Sequence, residues 1–338
     1  MNQRESRTRR EFLRTCAFTA VAAGASRLCI ASEEVEPSAS RARSKVVIAR
    51  DASLFGTSTT PDSARVQALV DQAMQHLTDS SDPVSPWKKL FRPDEVVGLK
   101  VNTIAGPALS THPVLVAAIS ERLEQAGIPP SHIVVWDRSN EELERAGYRL
   151  NSDSSRIRFL GTDSRDFGYD ESELTFGTVK TRLSKLLTRT CDSMINVPVL
   201  KHHSGAGITL AMKNMYGVNN NPNKLHAHNC CPAVADLNML PPIRNKFRLV
   251  IADAIVGCFE GGPGFKPQYS WRYNGILAAS DPVAIDYTGW QIIERERAVR
   301  GLKLLHESGA APDYIAVAAD PEHLLGTNDP NRIALSEV

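Results

Sequence analysis

The sequence predicts an α/β protein: a mostly parallel sheet with helices on both faces. Three observations lead there. Short apolar runs such as "KVVIAR", "HIVVWD" and "RLVIAD" recur along the chain, and continuous runs of that kind suit strands buried on both sides. Segments of helical period alternate with them, the pattern of a sheet wrapped by helices. The chain has 338 residues, 42% of them hydrophobic, enough for one large domain or two closely joined ones. No internal repeat or low-complexity tract interrupts it.

In chain order, residues 45–50 read as the first strand. Val66, Leu69, Val70, Ala73, Met74 and Leu77 follow at helical spacing over 62–77. "DEVVGLKVN" (94–102) reads as a strand. Pro113 opens a helix whose stripe is Leu115, Ile119, Leu123 and Ala126, and Gly127 stops it. "HIVVWD" (132–137) and "RIRFLG" (156–161) are the next strands. "DSMINVPVL" (192–200) is an apolar run, and "GITLAMKNMYG" (207–217) fits a helix ending at Gly217. Residues 218–232 form a polar loop rich in Asn and Pro. "RLVIAD" (248–253) and "GILAAS" (275–280) are strands, a helix runs over Val283–Val299, and the tail reads as a small closing unit.

The N-terminal stretch "RTRREFLRTCAFTAVAAGAS" joins a basic region, the pair Arg9-Arg10 and about ten mildly apolar residues. It resembles a twin-arginine export signal. The apolar part is too short for a stable membrane span, which needs ~20 residues. The expected organisation is a signal over 1–31, a linker over 32–44 and one domain over 45–338. The twin-arginine machinery is then a partner, and the location is periplasmic or otherwise exported by that route. The formal charge is +1; taking away residues 1–31 leaves 33 basic against 36 acidic residues, about −3. The positive balance therefore belongs to the signal, and no basic field or motif points to nucleic acid. Cys191, Cys230, Cys231 and Cys258 follow the signal. They show no iron–sulfur spacing, and an exported protein is permitted a disulfide whose pairing stays open.

The chemistry gathers at strand ends. Lys100 and Asn102, Asp137, Lys201 with His202 and His203, Asp253, and Asp281 each close an apolar run. In open α/β sheets ligands bind beyond the carboxyl ends of the strands. Asp281, before Pro282, also reads as a helix cap. The expected catalytic set is Lys201, His202, Asp137 and Asp253, and the expected substrate-binding set is Lys100, Asn102, Lys213 and Asn214. His203 is left out as a neighbour, because consecutive residues on a strand point opposite ways. If Ser204-Gly205-Ala206-Gly207 opens a helix, its backbone N–H groups favour an anion. "HAHNCC" brings His226, His228, Cys230 and Cys231 close together without the spacing of a standard zinc module. "FEGGPGF" is a loop able to approach a ligand closely. No P-loop, dinucleotide fingerprint or GxSxG elbow is present.

Together the blocks "GLKVN", "THPVLVAAISERLEQAG", "VVWDR", "INVPVLKHH", "GITLAMKNMYG", "IADAIVGCFEGGP" and "LAASDPVAIDYTGWQII" resemble the domain-of-unknown-function family 362, over roughly residues 45–338. The resemblance implies an α/β domain with a shared polar site and no established reaction. The matching positions are Lys100, Asn102, Thr111, His112, Asp137, Asn196, Lys201, His202, Lys213, Asn214, Asp253, Asp281 and Asp286. Some members carry ferredoxin-like iron–sulfur modules; this chain has no such cysteine-rich segment. Two functions fit these residues: an exported enzyme acting on a small anionic molecule, with a divalent metal on its carboxylates as an optional cofactor, or a non-catalytic periplasmic protein that binds an anionic ligand or metal.

Overall fold

A computed structural model describes residues 43–338. The expected signal over 1–31 and all but the last two residues of the expected linker lie outside the described residues.

The first apolar run forms β1 (Ser44–Arg50), and Asp62 caps α1 (Ser63–Thr78) by accepting the N–H of Arg65. A short helix α2 (Ser85–Leu90) leads into β2 (Val97–Lys100). Pro113 begins α3 (Pro113–Gln125), which is followed by β3 (Ile133–Asp137), α4 (Asn140–Arg145) and β4 (Arg158–Gly161). A small hairpin, β5 (Leu174–Phe176) with β6 (Val179–Thr181), stands apart from the main sheet. The apolar run at 192–200 becomes two strands, β7 (Ser193–Asn196) and β8 (Val199–His203), because Pro198 interrupts it.

The segment expected to be one helix over 207–217 divides differently. Gly207–Thr209 is β9, antiparallel to β8, and only Ala211–Asn214 is α-helical (α5), continued by a 3₁₀ turn over Met215–Val218. After the polar loop come α6 (Ala233–Met239), α7 (Pro241–Lys246) and the long β10 (Phe247–Cys258). The chain closes with β11 (Ser270–Trp271), β12 (Gly275–Ala279), α8 (Pro282–Val299), α9 (Tyr314–Ala318) and β13 (Ile333–Glu337). The tail is thus not a separate closing unit: β13 pairs with β1.

The main sheet has eleven strands with the central order β13-β1-β12-β10-β7-β2-β3-β4. Pairings β4/β3, β3/β2, β2/β7, β7/β10 and β1/β13 are parallel, while β12 runs against both of its neighbours. The sheet is therefore mostly parallel, as the alternating runs predict. One face carries the core of α1, α3 and α4 (Leu69, Leu115 and Leu143 against Leu99, Val135 and Ile251). The other carries α5 to α9 (Met212, Val234 and Ile285 against Trp136, Val250 and Leu277). Cys191, Cys230, Cys231 and Cys258 are all free thiols.

Two of the expected strand ends move for topological reasons. Because β12 is antiparallel, its carboxyl end lies at the opposite edge of the sheet from those of β2 and β3. Asp281 sits there and caps α8, accepting the N–H groups of Val283 and Ala284 at 2.9 Å each. Asp253 is not a strand end at all, since β10 continues to Cys258.

Candidate functional site: a lysine-rich cavity

Beyond the carboxyl ends of β2 and β3 lies a cavity of about 180 Å³. Its lining includes Lys100, Asn102, Asp137, Lys201, Lys213 and Asn214, so six of the eight residues expected from the sequence converge there.

Each arrives for a local reason. Val97, Leu99 and Val101 pack against the α1/α3 layer, so the strand period sends Lys100 to the opposite face. There its Nζ donates to Asp137 Oδ1 at 2.8 Å and to the Val101 carbonyl at 2.6 Å. Asp137 is held in turn by the N–H and hydroxyl of Thr103, each at 2.8 Å, and by the N–H of Arg138. Gly217 closes over this pair: a Cβ there would stand 2.9 Å from both Lys100 Nζ and Asp137 Oδ1. Its glycine serves close approach rather than a left-handed helix end.

Lys213 and Asn214 come from α5. Asp286 anchors the start of that helix, accepting the N–H groups of Ala211 at 2.6 Å and Met212 at 3.2 Å and the Tyr314 hydroxyl at 3.0 Å. Burial pushes the Asp286 carboxyl up to about 7, against those hydrogen bonds.

A chain of buried amides crosses the cavity floor. Asn196 donates to the Ala211 carbonyl at 2.7 Å, and Asn214 donates to Asn196 Oδ1 at 2.7 Å. Asn102 donates to Asn214 Oδ1 at 2.9 Å. With its amide nitrogen so engaged, Asn102 turns its oxygen to Lys201, whose Nζ donates to it at 2.7 Å. The direction of each donor fixes the next, because an amide has one donor side and one acceptor side.

Lys201 differs from Lys100. It is fully buried, and among the described residues its only hydrogen-bond acceptor is that neutral amide oxygen; no carboxylate stands within ion-pair distance. Burial pulls its ammonium down to about 7, with Asp137 opposing and Lys100 and Lys213 adding to the fall. Directly opposite it in the β8/β9 hairpin is Thr209, a residue of the cavity lining whose buried hydroxyl has no partner among the described residues. Lys213 lies 3.5 Å from the centre of the Tyr216 ring, and its Nζ is 3.4 Å from His226 Nε2. Burial lowers it to about 8, with Cys230 opposing. His226 donates from Nδ1 to the Pro222 carbonyl at 2.9 Å, so its Nε2 lone pair faces Lys213. Arg138 and Glu142 complete the charged lining. Burial, then Asp137, raises the Glu142 carboxyl.

His202 and Asp253 do not join them. On β8 the side chains alternate, so Lys201 and His203 share a face and His202 takes the other. His203 lines the cavity. Its Nδ1 accepts the N–H groups of Gly205 and Ala206 at 3.0 Å each. Those turn amides are therefore spent on a histidine, and the turn joins two strands rather than opening a helix. Burial, then Lys213, pushes His203 down to about 3, which leaves it neutral with its proton on Nε2. His202 accepts the Gly262 N–H at 3.1 Å and lies 3.8 Å from Glu260, which pairs with Arg297. The glycine-rich loop packs against backbone at Gly262, where a Cβ would meet the His202 carbonyl at 1.9 Å, and brings Pro263 into the cavity lining.

Asp253 falls in register with Leu249, Ile251 and Ile255 of β10, whose side chains belong to the α1/α3 layer. There it accepts the N–H of His112 at 2.7 Å and meets His112 Nδ1 at 2.8 Å, locking the start of α3.

The sequence reading missed His203, Thr209, Tyr216, Arg138 and Glu142. The alternation on β8 is enough to place His203 beside Lys201. Thr209 becomes visible only once the hairpin is known. Among the described residues no group of three or more His, Cys, Asp or Glu side chains is placed to hold a metal ion. His228, Cys230 and Cys231 are not part of the lining.

Fold and cavity together define an α/β protein with a buried lysine site at its strand ends. The chain belongs to the family described as "Domain of unknown function (DUF362)", which it matches over residues 97–291. That span runs from β2 into α8 and contains every cavity residue named above. No curated protein matches the chain. Among solved structures it is similar to a Thermotoga maritima protein known from a crystal structure, at 9% identity and a TM-score of 0.33, over 66% of this chain and 56% of that one. The chain thus spans a little over half the length of that protein. No helix among the described residues is long and apolar enough to cross a membrane.

Proposed function

We propose that the cavity is the active site of an enzyme acting on a small anionic molecule. One observation carries this reading: two buried donors, the Lys201 ammonium with a single neutral acceptor and the Thr209 hydroxyl with none, face the same cavity. Buried donors left without acceptors cost free energy, and an anionic ligand supplies the acceptors. The charges agree. Lys100 is balanced by Asp137, but Lys201, Lys213 and Arg138 face only Glu142 in the lining. In this reading Lys213 and Arg138 hold the anion, Thr209 orients it, and Lys201, which loses its proton near neutrality, exchanges a proton with it.

The test is calorimetric titration of the protein with phosphate, acetate and pyruvate. Wild type should bind at least one of them, and Lys213→Ala and Thr209→Val should each weaken that binding roughly tenfold, the worth of one charge-assisted hydrogen bond. Unchanged affinity in both variants, or no binding of any of the three to wild type, would sink the reading. The retained alternative, a non-catalytic binding protein, predicts that the bound anion is recovered chemically unchanged after long incubation.

The basic segment with Arg9-Arg10 supports export by the twin-arginine route as part of this proposal. Replacing both arginines by lysine should leave the protein in the cytoplasm on fractionation; unaltered export would remove that part.

A further inference from the structure

The anionic ligand does not by itself account for the way Lys201 is held. For plain charge recognition an ammonium is best kept charged, and this protein knows how to do that: Lys100 has a carboxylate at 2.8 Å and a carbonyl at 2.6 Å. Lys201, in the same cavity, has neither. It has one amide oxygen, fixed in direction by the chain Asn196–Asn214–Asn102. It also has two other lysines in the same lining. A desolvated lysine beside other cations is the arrangement that produces a nucleophilic amine. Acceptor-only contact at one N–H leaves the nitrogen lone pair free to point into the cavity. The facing Thr209 hydroxyl is unpartnered and sits across the hairpin from it.

We infer that Lys201 forms a Schiff base with a small oxo acid, a molecule that carries both a carboxylate for Lys213 and Arg138 and an electrophilic carbonyl carbon for Lys201. This rests on the anion-site reading above and adds the substrate class. The neutral amine attacks the carbonyl carbon, forming the C–N bond, and the carbonyl electron pair moves to oxygen. The oxygen takes a proton, with Thr209 as its hydrogen-bond partner and Lys213 as the acid. The attacking nitrogen gives one proton back to Lys213, which passes it to the hydroxyl; the C–O bond breaks, water leaves as the C=N bond forms, and the nitrogen's remaining proton restores Lys213. The balance is one amine and one carbonyl in, one imine and one water out. No oxidant or reductant is consumed. Burial agrees with this chemistry, because it lowers Lys201 to about 7 and Lys213 to about 8, so amine and ammonium are both available near neutrality.

The experiment is reductive trapping on the full chain. Wild type is incubated at neutral pH with pyruvate, glyoxylate or oxaloacetate and cyanoborohydride, then digested and mapped by mass spectrometry. Calorimetry with the same three acids runs in parallel. One reduced adduct should appear on Lys201 at least about tenfold faster than on solvent-exposed lysines such as Lys88, because desolvation disfavours the charged form of a buried amine. Lys201→Arg, which keeps the charge but cannot form an imine, should lose that adduct. Should Lys201→Arg fail to fold, the pH profile of wild-type trapping serves instead: the Lys201 adduct rate should level off above about pH 7, and a rate that keeps climbing well beyond it would overturn the assignment. If an oxo acid binds but labels Lys201 no faster than Lys88, the Schiff base is wrong and the anion site stands. If none of the acids binds or labels, both fall.

Discussion

Lys201 and Asp253 leave neighbouring strands of one sheet, and both are fully buried, yet they meet opposite surroundings. Asp253 points into the α1/α3 layer, where two N–H groups and the His112 ring satisfy it. Lys201 points the other way, into a cavity, and finds one neutral oxygen. The first is an internal fastening: an anion at the N-terminus of a thirteen-residue helix, where backbone N–H groups and the helix dipole both favour negative charge. The second is an incomplete coordination shell. The comparison teaches that a buried charge by itself does not mark a site. Under the proposed function, what separates the two is whether the partners are already present.

Three measurements can break or sharpen that contrast. The largest effect should come from Asp137→Ala, because it strands Lys100 as an uncompensated buried cation. Denaturant unfolding should show a loss of about 3–5 kcal/mol, and a loss below about 1 kcal/mol would mean Lys100 is not charged in the folded protein. Next is Asp253→Ala, which orphans the N–H groups of His112 and Ile255. A loss of about 2–3 kcal/mol is expected, with anion affinity in the cavity unchanged. A large fall in affinity at retained fold would put Asp253 back in the site.

The third, smallest when read per pH unit, is a slope. Between about pH 7, to which Lys201 is lowered, and its ordinary 10.5, the unfolded chain holds a proton that the folded chain does not. The contribution of Lys201 to stability must then rise with pH across that window, by up to about 1.4 kcal/mol per pH unit, while buried thiols such as Cys191, raised from 9.0, act the other way at its upper end. Lys201→Met should remove that contribution and leave those of the other buried groups, among them a similar but later one from Lys213, whose window opens at about 8. Equal slopes in wild type and variant would show that Lys201 stays protonated in the folded state.

Much of this was legible in the residues. The alternation of apolar runs and helical stripes specifies a mostly parallel sheet, since only strands buried on both faces read that way. The polar residues that close β2, β3 and β8 pointed to the edge where the cavity lies. His203 was legible too, because strand alternation pairs it with Lys201 rather than with His202. Other features were not. That β12 runs antiparallel, sending Asp281 to the far edge, depends on pairing partners distant in sequence. That "SGAG" turns a hairpin, with its amides bound by His203, depends on the fold of β9 against β8.

The sequence by itself determined which residue types stand at the ends of the strands, because local period and composition act over a few neighbours. It also determined family membership, through blocks that no single contact explains. The tertiary structure alone decided which of those residues share a cavity, and which of the buried charges is neutralised. That decision is made by groups from separate elements: Asp137 from β3 reaching Lys100 from β2, His112 before α3 reaching Asp253 from β10, and, among the described residues, no carboxylate reaching Lys201. Charge compensation is a short-range matter of a few ångströms in space, and the distance between two residues along the chain carries no record of it.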